Sequence, residues 1–145
     1  MNNWARTKER GAVSINWCHG APGITLMKMR LAEVFGDRFV TRSDLEEIGN
    51  IIMTNGFGID HCLCHVDMGN LMILKRLAET LGNEEMKNFC IDQFYKSLDG
   101  LKEKVFGDYF YYSEDTAFMV GPQTIAIGIL DIAYNGNMVD ILTLR

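Results

Sequence analysis

Apolar residues recur at helical spacing over most of the chain. Ile24, Met27, Leu31 and Phe35 form one stripe, Leu71, Leu74, Ala78 and Leu81 a second, and Ile125, Ile129 and Ile132 a third. Each stripe predicts a helix that buries one face. Leu45, Ile48 and Ile52 predict another helix in more polar surroundings, as do Met86, Cys90 and Phe94. Ser43-Asp44-Leu45-Glu46 reads as a capping box, in which a hydroxyl and a carboxylate satisfy orphan N–H groups at a helix start. Asn83-Glu84-Glu85 opens the next helix with acidic residues at the positive end of its dipole. Gly36 and Gly82 stand where helix C-caps are expected. Strand-like alternation is weak, apart from a short extended piece around Tyr109-Phe110-Tyr111-Tyr112.

The pattern repeats. Arg30-Leu31-Ala32-Glu33 falls on Arg76-Leu77-Ala78-Glu79, and Cys18-His19 falls on Cys64-His65, both at an offset of 46 (76 − 30 and 64 − 18). A weaker third copy lies at an offset of 101, with Gly20-Ala21-Pro22-Gly23 over Gly121-Pro122-Gln123-Thr124. Each copy reads as a tight glycine-containing turn followed by an apolar helix. A fixed period of this length predicts stacked or closed helical hairpins. The expected fold is all-α, with inner repeat helices alternating with outer, capped helices in two layers.

Composition narrows the function. The 145 residues are 48% hydrophobic and 23% charged, which excludes a disordered or acidic-tail chain. A net charge of −5 argues against a phosphate-binding surface, so no nucleic-acid partner is expected. No apolar run has the ~18 residues of a membrane span, and the first residues lack a signal-peptide core. A cytoplasmic protein is therefore expected. In a reducing compartment, four cysteines serve more often as ligands, reactive thiols or core residues than as disulfides.

The three histidines and three of the four cysteines lie in two turns, Trp17-Cys18-His19-Gly20 and His61-Cys62-Leu63-Cys64-His65. Stacked repeats would bring these turns to one end of the structure. Thiolate and imidazole are the preferred zinc ligands, and three of them plus water make an open, catalytic site. The same residues also suit small packed thiols in tight turns, and spacing alone leaves both readings open. Cys62 is a rival ligand or a packed thiol, His61 an orienting or structural residue. Cys90, on an apolar face, reads as core.

Trp17-Cys18-His19-Gly20-Ala21-Pro22-Gly23-Ile24 resembles the Trp-Cys-x-Gly-x-Pro-Gly motif of lanthionine synthetase C-like proteins. Asp60-His61-Cys62-Leu63-Cys64-His65-Val66-Asp67 looks like that family's Cys-His-Gly motif, and 117–130 is similar to its C-terminal glycine-rich segment. The likeness is to the C-terminal part of the cyclase domain of class II lanthipeptide synthetases and spans 1–145. It implies an α/α toroid, here partial, with zinc at one mouth held by Cys18, Cys64 and His65. It also implies formation of lanthionine or methyllanthionine bridges. Zinc stabilises the thiolate of a peptide cysteine, the thiolate adds to the β-carbon of a dehydroalanine or dehydrobutyrine, and His19 is the candidate for proton transfer. The partners implied are a precursor peptide and the rest of the synthetase, namely upstream toroid hairpins and a dehydratase domain.

The chain departs from the family pattern at Val66, where Gly is usual, and at Thr25, Pro122 and Thr124, which replace glycines at helix starts. It is also shorter than a full toroid requires, so a fragment with open apolar flanks is expected. These departures keep a second reading in play, a non-catalytic zinc-stabilised peptide-binding module or a degenerate remnant. A third reading, a carbohydrate-active barrel, would need a carboxylate pair, for which the turns offer only Asp60 and Asp67.

Overall fold

The computed structural model describes residues 15–58, 67–104 and 122–134, the side chains at 100–104 and 122–124 excepted. They form five α-helices: α1 (Ala21–Phe35), α2 (Arg42–Asn55), α3 (Asp67–Leu81), α4 (Glu84–Lys104) and α5 (Pro122–Ala133). A 3-10 turn, Gly36–Arg38, follows α1. The Tyr109–Tyr112 segment lies outside the described residues.

The repeat is structural. Both α1 and α3 have 15 residues, and α3 begins and ends 46 positions after α1. Helix α5 begins 101 positions after α1, at the offset of the weak third copy. Gly36 and Gly82 follow the two long copies with φ of 63° and 60°, a left-handed backbone that favours glycine. At Gly82 the N–H groups of residues 82 and 83 reach back to Glu79 and Ala78 carbonyls at 3.1 and 2.9 Å, a Schellman closure of α3.

Helices α1, α3 and α5 pack side by side, and α2 packs against α1, α3 and α4. Every other α-helix touches α3. The arrangement agrees with the expected two layers of all-α hairpins. The core is Leu45, Ile48 and Ile52 from α2, Met86 and Cys90 from α4, and nearly every apolar residue of α3.

Two local expectations are corrected. The capping box of α2 is Thr41 with Asp44, not Ser43 with Glu46: Thr41 Oγ1 accepts from Asp44 N, and the Asp44 carboxylate accepts from Thr41 N at 2.9 Å. The Thr41 N–H, and the Thr41 hydroxyl donating to the same oxygen at 2.8 Å, hold the Asp44 carboxyl below the usual carboxylate range. Glu46 is engaged elsewhere, accepting from Arg42 Nε at 2.8 Å, while Arg42 Nη2 caps the Leu81 carbonyl of α3 at 2.7 Å. Asn83 opens α4 as expected, its Oδ1 accepting from Met86 N at 3.0 Å.

The second correction concerns α1. Its buried residues are Ala21, Pro22, Thr25 and Met29, whereas Met27 and Phe35 of the expected stripe are about half exposed, at 53% and 54%. At 100° per residue the buried face lies roughly a third of a turn from the apolar stripe. The repeat equivalents of Met27 and Phe35 are Ile73 and Leu81, which are buried at 0% and 6%. The two stripes differ in register: Ile24, Met27, Leu31 and Phe35 fall on Asn70, Ile73, Leu77 and Leu81, so the stripe Leu71, Leu74, Ala78 and Leu81 shares only its last position with them. Among the described residues, α3 alone packs against all four other α-helices, while its Glu79 and Thr80 stay exposed.

This contrast sets a test. Ile73→Ala should destabilise the fold by about 2–5 kcal/mol, through lost burial plus a cavity. Met27→Ala, at the same repeat position, should stay within about 0.5 kcal/mol. Urea unfolding monitored by circular dichroism measures both, and equal losses would contradict the asymmetric burial.

Candidate functional site

Cys18 sits in the segment that leads into α1. Asn16 N–H donates to the His19 carbonyl at 2.9 Å and closes a tight loop around Trp17 and Cys18. Cys18 and His19 are exposed, Trp17 is half-buried, and neither Cys18 nor Cys90 is in a disulfide. The Trp17 carbonyl packs directly on Gly23, where any Cβ would overlap it. The Gly of the Pro-Gly pair is thus needed for close approach, and it seats the turn on the first turn of its own helix. Pro22 has no N–H to leave unsatisfied there. Thr25, in place of a family glycine, is buried, and its Oγ1 donates to the Ala21 carbonyl at 2.8 Å.

The second turn enters and leaves at anchored points. Gly58 N–H donates to Asp67 Oδ1 at 2.8 Å, so the described chain on either side of 59–66 is joined at its base. One helical turn later, Asn70 Nδ2 donates to the carbonyls of Gly56 and Ile15, each at 2.7 Å. Gly56 caps α2, and Ile15 lies three residues before Cys18. The first turn of α3 therefore gathers the Cys18 segment and the exit of α2 at one end of the α1–α3 row.

Of the sequence-predicted site residues, Cys18 and His19 are adjacent and open at this end. Cys64 and His65 lie outside the described residues, as do Asp60, His61, Cys62 and Val66. Among the described residues no three His, Cys, Asp or Glu side chains come together as a ligand group. Asp67 is buried, at 2% exposure, and its Oδ1 accepts the Gly58 N–H. Sequence reasoning passed over Asn70. Its signal was a lone amide within Met68-Gly69-Asn70-Leu71-Met72-Ile73-Leu74.

A family model of lanthionine synthetase C-like proteins matches residues 1–143. The chain belongs to this family. It is also similar to the lacticin 481/lactococcin biosynthesis protein LcnDR2 of Lactococcus lactis subsp. lactis, 33% identical over 99 residues. That match covers 61% of this chain and 11% of the relative, so the chain spans only a small part of the curated relative's length. No solved structure matches it. Among the described residues, no helix of this family member is long and apolar enough to cross a membrane.

Cys90 is separate from this end of the fold. It lies on α4 at 6% exposure, and burial raises its thiol to about 12; Lys75 pulls in the opposite direction and Glu79 adds to the rise. It is a core thiol, as its place on an apolar face predicted. Because the folded value lies above the ordinary thiol value of 9.0, burial of the neutral thiol stabilises fully below pH 9, and that contribution is lost as pH rises towards 12. Native protein at pH 8 should alkylate with iodoacetamide at Cys18 and not at Cys90, read by peptide mass spectrometry. Alkylation of Cys90 at the rate of Cys18 would contradict its burial.

Proposed function

We propose that the chain is part of a zinc-dependent peptide cyclase that closes lanthionine and methyllanthionine rings. The observation that carries the reading is the family match along 1–143, which contains both Cys-His turns. The fastening of Ile15, Gly56, Gly58 and Asp67 around the first turn of α3 supports it, because it holds both borders of the second turn beside the Cys18 segment.

The donor set fits zinc in its chemistry: two thiols and an imidazole leave one place open for a substrate sulfur. Cys18, Cys64 and His65 would hold the ion. When bound, zinc supplies a thiolate at neutral pH from a substrate cysteine. The sulfur forms a bond to the β-carbon of a dehydroalanine or dehydrobutyrine, and the electron pair passes to the α-carbon. His19, exposed beside Cys18, delivers the proton that the α-carbon takes up. The peptide partner in this reading is a dehydrated precursor. The other partner is the remainder of a synthetase, and the exposed Met27, Val34 and Phe35 on α1 suit cover by further helical elements of a closed toroid.

Purified chain should carry about one zinc, as an open three-ligand site requires. Replacing Cys18 and Cys64 together by Ala should abolish it, measured by elemental analysis. Metal retained in that double variant rejects the ligand set. The activity has its own assay, incubation with a dehydrated precursor peptide. The expected outcome is loss of alkylatable thiols only with the protein present, and a lower yield in His19→Ala. Zinc bound without ring formation favours the non-catalytic module, for which Val66 in place of Gly is the specific sequence feature.

A further inference from the structure

We propose that Asn70 is the positioning residue of the zinc turns, a single amide that ties the Cys18 segment to the helix following Cys64-His65. The inference rests on the zinc-site reading above. Asn70 is completely buried, and both hydrogens of its amide are spent on main-chain carbonyls, Ile15 at 2.7 Å and Gly56 at 2.7 Å. Ile15 is 55 positions away in sequence and Gly56 is 14, so these bonds join three separate segments. Asp67, three residues earlier and on the same face of the helix, adds a third fastening by accepting from Gly58 N–H.

The other polar atom of the amide, its oxygen, has a different fate. Asn70 Oδ1 is buried with no hydrogen-bond partner among the described residues. A buried acceptor left in this way is destabilising, and an apolar residue of the same shape would avoid the penalty. The neighbours at 71–74 are all apolar and buried. Leu at position 70 would remove that penalty but leave the carbonyls of Ile15 and Gly56 without this donor. The amide is explained by its two donors, which hold the base of the Cys18 turn and the end of α2 in register. Ligands of a metal must be kept in place by groups that do not touch the metal, and loss of such groups typically lowers affinity about 10- to 100-fold.

The test compares Asn70→Leu with Leu77→Val, a core change two turns further along α3 where that helix packs on Gly49. Two readouts are taken on the whole chain. One is zinc affinity by competition with a chromophoric chelator, with the visible spectrum of the cobalt-substituted protein. The other is hydrogen exchange of the metal-free protein at 15–20 and 56–58. Asn70→Leu should weaken zinc at least tenfold, alter the cobalt spectrum, and speed exchange in both segments at least tenfold. Leu77→Val should leave all three within twofold even where it lowers the melting temperature. Exchange and zinc affinity in Asn70→Leu within twofold of wild type would overturn the proposal. Asn70→Asp, of the same shape but without the donors, is the second variant. Failure of both to fold, while Leu77→Val folds, would reduce Asn70 to a structural role and also overturn it. If wild type itself binds no zinc, the metal reading and its positioning residue both fall. Fast exchange in Asn70→Leu then shows that the turn is fastened for another purpose.

Discussion

Helix α3 is enclosed, with 11 of its 15 residues buried. Enclosure is what makes its few polar side chains informative. A polar group on an exposed helix face hydrogen-bonds to water and constrains nothing. The same group inside a core must find a protein partner or carry the cost of having none. Asp67 and Asn70 meet that demand by reaching to main-chain groups of the loops around them. The hydrophobic packing of α3 and the geometry of the loops at its N-terminal end are therefore one problem, solved by the same helical turn.

The opposite end of the helix is closed by different means. Gly82 and the residue after it return N–H groups to the last carbonyls, and Arg42 reaches across from α2 to the carbonyl of Leu81. The surface pairs beside it, Arg42 with Glu46 and Lys75 with Glu79, are worth little individually because water screens them. The Arg42 bond to a helix terminus joins two elements and satisfies an orphan acceptor, so it does more than its ion pair. The main-chain fastenings by Asp67 and Asn70 thus lie at the N-terminal end of α3, and its closure by Gly82 and Arg42 at the C-terminal end.

The repeat makes the role of environment visible. Ala21 to Phe35 and Asp67 to Leu81 are the same helix by length, position and cap, but their apolar stripes meet different fates. In the second copy the stripe is core. In the first, Met27 and Phe35 are exposed while Leu31 packs partly buried against the core, and the buried face runs through Ala21, Thr25 and Met29, with the Thr25 hydroxyl satisfied on the Ala21 carbonyl. Amphipathic pattern specifies that a helix has a face to bury, not which neighbours exist to bury it.

Read along the chain alone, the residues determined the all-α class, the offsets of 46 and 101, the helix stops at Gly36 and Gly82, the core status of Cys90 and the family motifs around Cys18 and Cys64. All of these rest on interactions within a few residues or on periodicity, which a linear reading contains. The tertiary structure alone decided which face of α1 is buried and that Asn70 holds Ile15. Each depends on contacts with another segment: the buried face of α1 is set by the helices beside it, and the amide of residue 70 finds a carbonyl 55 positions away. Contacts of that separation leave no periodic trace, because only folding brings the two residues within hydrogen-bonding distance.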